Sequence, residues 1–243
     1  MQISLINLDR TPDRLAEFHR RNGHLEEVSR FRAVDGRTVD IGALTRIHLL
    51  HPSVVSTYTK GALGCALSHL ALWDRAVTRD EDITICEDDA IFNRGFVEVA
   101  ERLIGTLAAD WDVILWGWNF DSVVCFEMLP GVSPCCLSFD QDALRAGVQS
   151  FQDQRVAPQL FKLHRALGLV CYTISPKGAR VLRDRCLPLR QMDVHFPGLN
   201  RALYNTGIDI PMNDAYPEIE AYVGFPPLVV TKNEHETTTV QRD

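Results

Sequence analysis

No apolar run in this chain approaches the roughly 18 residues that a membrane-spanning helix needs. Its seven cysteines include no Cys-x-x-Cys pair, which removes the zinc-ribbon pattern. Their odd count also argues against a disulfide framework. Cys65, Cys86, Cys125, Cys135, Cys136, Cys171 and Cys186 are therefore expected as free thiols, packed like small hydrophobes. Positive charge is in deficit, with 25 Lys and Arg against 32 Asp and Glu and a formal net charge of −7. That speaks against broad electrostatic binding of nucleic acid. There is no internal repeat. The opening MQISLINLDR has no basic region before its apolar residues, unlike a secretory leader. The expected location is the cytoplasm, with peripheral contact at the inner face of a membrane left open.

What is present is the composition of an ordinary globular protein: 243 residues, 46% hydrophobic and 23% charged. A chain of this size buries about 70% of the surface its unfolded form exposes, so one domain over residues 1–243 is expected. Residues 2–6 alternate as a strand. Thr11-Pro12 reads as the cap and first turn of a helix to about Arg21. Residues 28–34 form a second strand, closed by the turn pair Asp35-Gly36. Between 62 and 77, Leu63, Ala66, Leu67, Leu70 and Val77 share one helical face. Apolar runs at 83–86, 113–116 and 169–174 predict strands. Residues 96–107 and a segment capped by Ser175-Pro176 predict helices. The alternation predicts an α/β fold with a mostly parallel central sheet flanked by helices. Residues 119–160 lack a clear period and are expected as a loop or small annex. The tail 231–243 is polar and patternless.

The most informative residues are Glu87-Asp88-Asp89, which follow the apolar strand at 83–86 directly. Three carboxylates at such a place face mutual repulsion and desolvation, and a divalent cation relieves both. Ligands of open α/β sheets bind beyond the carboxyl ends of strands. Glu87 and Asp89, two residues apart, can aim at one Mn²⁺ or Mg²⁺, which suit oxygen ligands and bridge phosphates. The competing account is a solvated acidic turn.

Three stretches carry a resemblance. They are Ile6-Asn7-Leu8-Asp9-Arg10 with Pro12-Asp13-Arg14; Gly61 to His69 (GALGCALSH) with Trp73; and Ile85-Cys86-Glu87-Asp88-Asp89-Ala90. Tyr172 to Ala179 (YTISPKGA), Asp193 and Pro226-Pro227-Leu228-Val229 follow in order. The chain resembles glycosyltransferase family 25, which includes lipooligosaccharide and collagen galactosyltransferases. The resemblance implies a GT-A type nucleotide-sugar-binding fold. In it the acidic cluster would serve as the metal- and diphosphate-binding motif. It also implies a UDP-sugar donor, often UDP-galactose, inversion at the anomeric carbon, and a glycan or glycoconjugate acceptor such as lipooligosaccharide. Residues 119–165 match nothing in the family and are read as an acceptor-side insertion.

Inverting transfer needs a stabilised leaving group, a base for the acceptor hydroxyl and a nucleotide slot. Asp89 and Glu87 are assigned to the metal, and Asp88 to the ribose or a metal-bound water, with the roles of the carboxylates interchangeable. Asp193, flanked by apolar residues, is the candidate base, with Asp121, Asp214 and Glu218 as competitors. Asn7 and Arg10 are placed to meet the nucleotide base or diphosphate, and Asp35 the ribose hydroxyls. Arg10 and Arg14 have the alternative of salt bridges to Asp9 or Asp13. The helix entry at Lys60-Gly61-Ala62 could meet phosphate. His69 is expected as a satisfied structural histidine or as a partner of the acidic loop. His235 is a candidate third metal ligand, since GT-A enzymes often return a C-terminal residue to the metal. Trp118 is expected either in the core or as a sugar-stacking platform. A sugar nucleotidyltransferase and a catalytically silent sugar-nucleotide-binding module are the alternatives. The first would usually bring a basic Gly-rich loop after the first strand, where this chain has Asn7-Leu8-Asp9-Arg10.

Overall fold

A computed structural model of the chain describes residues 1–232. The N-terminal part alternates strands and helices: β1 (Ile3–Asn7), α1 (Pro12–Arg21), β2 (Val28–Arg32), α2 (Ile41–Arg46), α3 (Lys60–Arg79) and β3 (Ile83–Glu87). Then come β4 (Ile91–Phe92), α4 (Phe96–Ile104) and β5 (Val113–Gly117). The middle holds β6 (Val123–Leu129), β7 (Ser133–Ser138), α5 (Gln141–Asp153) and β8 (Gln159–Ala166). The rest is β9 (Cys171–Ile174), α6 (Pro176–Cys186), β10 (Asp193–Phe196), β11 (Arg201–Tyr204), α7 (Asp209–Ala215), β12 (Ala221–Phe225) and β13 (Val229–Val230).

Nine strands form one sheet in the order β2-β1-β3-β9-β5-β12-β8-β6-β7. The expectation of a mostly parallel sheet is not met. β1 runs parallel to β2 and β3, and β12 parallel to β5, but the other five pairings are antiparallel. The reason lies at β9. Its segment turns at Gly168 (φ 82°) and enters between β3 and β5 against the direction of both. The parallel character is confined to β2-β1-β3 and the β5-β12 pair.

Strand residues alternate between two helical layers. Toward one side Ile85, Leu115 and Tyr172 pack with Leu63, Ala66, Leu70 and Trp73 of α3 and with Ala179 and Leu182 of α6. Toward the other, Leu5, Cys86, Ile114 and Trp116 pack with Phe18 of α1 and with Phe96 and Ala100 of α4. α3 starts where Thr59 accepts the Ala62 N–H, and α6 where Ser175 accepts that of Gly178.

Residues 119–160, expected as a loop or small annex, carry regular structure that extends the main sheet. β6 lies between β7 and β8, and α5 follows, capped by Asp140. The cysteines need a matching correction. Cys125 and Cys136, directly opposed on β6 and β7, form a disulfide, while Cys65, Cys86, Cys135, Cys171 and Cys186 are free. Trp111, Trp116 and Trp118 are buried. Trp118 stacks on Phe120 at 4.8 Å, so the structure places it in the core rather than on a sugar-stacking platform.

One close backbone approach positions the loop after β2. A Cβ on Gly36 would stand 1.8 Å from the Lys60 carbonyl oxygen, and one on Gly64 2.4 Å from that of Val34. The loop carrying Asp35 therefore lies against the first turns of α3 with no room for a side chain. Gly36→Ala is expected to cost about 3 kcal/mol or more, beyond ordinary overpacking because the obstacle is backbone. A urea melt reads this, and a variant as stable as the parent would refute the close contact.

Among the described residues, no helix is long and apolar enough to cross a membrane.

Candidate active site

The parallel strands β2, β1 and β3 end at one edge of the sheet, and a cavity of about 440 Å³ opens there. That volume falls within the range of small-ligand sites, and the place is where open α/β sheets bind ligands. Asn7 at the end of β1, Asp35 after β2 and Glu87-Asp88-Asp89 at the end of β3 all line it. Gly61 and Cys65 of α3, Gly168 and Asp209 close the far side.

The three carboxylates have separate surroundings. Asp88 is committed to protein partners. Its Oδ2 accepts from Asn7 Nδ2 at 2.7 Å, and its Oδ1 from Arg14 Nε at 2.7 Å and also from Arg14 Nη2. Burial alone would lower the Arg14 pKa, but the Asp88 hydrogen bond and the three carboxylate charges raise it. Asp89 is different. Its Oδ2 accepts from the Thr231 hydroxyl at 3.1 Å, while its Oδ1 is shielded from solvent and has no partner among the described residues. Burial first, then the charge of Glu87, pushes its pKa up to about 6, against the pull of Arg14. Glu87 is half-buried, with Cys65 and His69 of α3 beside it. An orphaned, desolvated oxygen next to a second carboxylate is what a divalent cation satisfies. The donor set, all oxygen, suits Mn²⁺ or Mg²⁺. Asp89 and Glu87 fit that ion, and Asp88 fits it poorly because both its oxygens are occupied.

The other predicted residues divide. Asn7, Arg10 and Asp35 line the cavity together with the carboxylates. Asn7 is buried, however, and its amide serves neighbours: Nδ2 donates to Thr11 and Asp88, and Oδ1 accepts from Arg30 Nε at 3.0 Å. It orients Asp88 rather than presenting a free group. Arg10 Nε donates to Asp35 Oδ2 at 3.2 Å, and Arg37 holds the same carboxylate. The Arg37 hydrogen bonds chiefly, and the charges of Arg37 and Arg10, keep Asp35 well below the ordinary carboxylate range. In place of the alternative bridges to Asp9 or Asp13, Arg10 pairs with Asp35 and Arg14 with Asp88, while Asp9 pairs with Arg30 and Arg32.

Asp193 is exposed on β10, opposite Tyr204 of β11, and lines no part of the cavity. Asp121, Asp214 and Glu218 are exposed as well. His235 lies outside the described residues. The carboxylate that does face the acidic turn is Asp209, which the sequence reading passed over. It opens α7, and its Oδ2 accepts the Gly168 N–H at 3.0 Å. Burial first, and then the charge of Glu87, raises its pKa. The signal was available, since Ile208-Asp209-Ile210 flanks a carboxylate with apolar residues as closely as Met192-Asp193-Val194 does. Gly168 is required beside it, because a Cβ there would meet the Asn119 side chain at 2.4 Å.

Carboxylates gathered beyond parallel strands, around a ligand-sized cavity, are the arrangement of an α/β enzyme site. Residues 1–195 match the model of glycosyltransferase family 25 (LPS biosynthesis protein), and the chain belongs to that family. Among curated proteins it is 32% identical over 145 residues to the probable inactive glycosyltransferase 25 family member 3 of Rattus norvegicus, covering 54% of this chain and 25% of that one. It is 30% identical over 127 residues to procollagen galactosyltransferase 2 of Homo sapiens, covering 48% and 20%. A glycosyltransferase 25 family member of Drosophila melanogaster is 31% identical over 126 residues, covering 48% and 21%. The chain thus matches a quarter or less of the length of these relatives. A solved structure, A197 from STIV, aligns at a TM-score of 0.39 and 11% identity over 94% of this chain and 83% of that one. That likeness is too low to bear on the fold.

Proposed function

We propose that this chain is a metal-dependent, inverting glycosyltransferase domain of GT-A type. It moves a sugar, galactose first among candidates, from a UDP-sugar to a hydroxyl of a glycan or glycoconjugate such as lipooligosaccharide. The observation that carries this reading is the solvent-shielded, unpartnered Oδ1 of Asp89 beside Glu87, in a cavity at the ends of parallel strands.

Asp89 and Glu87 would hold Mn²⁺ or Mg²⁺. When bound, such an ion neutralises charge that develops on the departing diphosphate. Arg14, fixed on Asp88, adds a cationic wall to the same cavity. Arg10 and Asp35 line the nucleotide side, where an incoming ribose or phosphate can exchange with their mutual ion pair. The base passes from Asp193 to Asp209. A base has to lie within hydrogen-bond reach of the acceptor hydroxyl inside the cavity, with a pKa raised toward the working pH. Asp209 lines the cavity and has such a shift, and its bond from Gly168 holds it in place.

The relatives named inactive favour a second reading, in which the donor is bound and not turned over. UDP release from a panel of UDP-sugars separates the two. The transferase reading expects release that requires Mn²⁺ and rises with a glycan acceptor. A silent module would bind UDP and release none from any donor.

A further inference from the structure

Beneath the acidic turn, α3 aims a second set of donors at Glu87. Cys65 and His69 are one helical turn apart and leave the helix on the same face. The Cys65 thiol donates to Glu87 Oε1 at 4.0 Å, and His69 Nε2 lies 3.7 Å from the same oxygen. One donor atom from each of the three residues fits within a span of 4.8 Å. His69 is 0% exposed, and its Nε2 has no hydrogen-bond partner among the described residues. A buried polar atom left unmatched is costly and calls for an explanation.

The other ring nitrogen supplies one. His69 Nδ1 lies 2.8 Å from the Tyr172 hydroxyl, which also accepts from Trp73 Nε1 at 2.8 Å. The Tyr172 hydroxyl can donate to Nδ1 in the metal-free protein; in the tautomer that a cation would select, Nδ1–H donates to that oxygen and Nε2 turns a lone pair toward Cys65 and Glu87. An imidazole held through one nitrogen and free at the other is how histidine ligates metals. Sulfur, nitrogen and one carboxylate oxygen form a set suited to Zn²⁺, unlike the all-oxygen pair of Asp89 and Glu87. Tetrahedral zinc with ordinary bond lengths places its ligand atoms about 3.3–3.6 Å apart. The separations from Glu87 need close by a few tenths of an ångström, and the thiol and imidazole, within 4.8 Å of each other, by up to about 1.2–1.5 Å through side-chain rotation.

We propose that Cys65, His69 and Glu87 form a second cation site, selective for Zn²⁺ over Mn²⁺, with its fourth position open to the cavity. Binding forms a zinc–thiolate bond and releases the Cys65 proton to solvent. Occupancy of this site does not depend on sugar transfer. Only its consequence, competition with Mn²⁺ for Glu87, rests on the transferase reading.

Co²⁺ reports on thiolate ligation through a near-ultraviolet charge-transfer band. Titration of the whole chain is expected to produce that band, and Zn²⁺ to abolish it. Cys65→Ser should lose the band and weaken Zn²⁺ binding about 100-fold or more, since even outer-shell changes cost 10–100-fold. Cys65→Ala serves as a second variant should the serine perturb the buried helix, and thermal melting checks both folds. Asp89→Asn should keep the band while losing Mn²⁺-supported UDP binding, so that failure of one reading is told apart from failure of the other. No band in the parent, or an undiminished band in both folded Cys65 variants, overturns the site.

Discussion

Asp89→Asn is expected to abolish Mn²⁺-supported UDP binding and to lower sugar transfer about 100–1,000-fold, the scale for losing one preorganised charge-stabilising group. The substitution changes charge with little change in shape. Thr231 can still donate to the amide oxygen that replaces Oδ2, so thermal melting should remain cooperative. A pH dependence accompanies it. With its pKa pushed up to about 6 by burial and by Glu87, Asp89 is protonated in acid and attracts a cation only once ionised. Mn²⁺ affinity should therefore rise as pH passes through about 6, and the Asn variant should lose that inflection. For the metal-free protein the sign reverses. A carboxyl whose folded pKa exceeds its unfolded value near 3.9 stabilises the fold below that value, and the contribution fades as pH climbs through about 6. Metal-free melts of parent and variant at pH 4 and pH 7 read this difference. Normal transfer by Asp89→Asn would remove the metal assignment altogether.

Asp209→Asn should separate donor binding from chemistry. The amide can still accept the Gly168 N–H and keep the start of α7 in place, but it cannot take a proton from an acceptor hydroxyl. Loss of a general base costs about 100–10,000-fold in rate. UDP binding with Mn²⁺ should stay near the parent value, because the carboxylates that would hold the ion are untouched. Asp193→Asn is the matched control, exposed and away from the cavity. Transfer lost in Asp193→Asn and retained in Asp209→Asn would return the base to β10.

Much of the N-terminal half was legible because its signals are local. Five consecutive residues of β1, Pro12 in the first turn of α1 (where Thr11 precedes the helix without a side-chain capping bond), the apolar face of α3 and the carboxylates at the end of β3 each announce themselves within a few positions. Strand direction is not a local property. The apolar run Cys171–Ile174 looks the same whether it enters the sheet with or against its neighbours, and only the turn at Gly168 decides. The hairpin of β6 and β7 was hidden for other reasons. β6 changes register near Phe126, and β7 is an edge strand with a proline and alternate exposed residues, so neither shows a clean two-residue period. Asp193 and Asp209 carried the same apolar flanks, and distance along the chain could not say which of them faces Glu87.

The far end of the sheet has a practical use. At the tip joining β6 to β7, Gly131 adopts φ 70° with no described residue within 4 Å of where a side chain would stand, and Leu129 and Val132 are exposed. Of the stretch 119–165, only Asn119 reaches the cavity wall. A fluorophore or affinity handle spliced into this tip would ride on the protein without disturbing the cavity, and would give surface-immobilised binding assays an attachment point remote from the acidic turn.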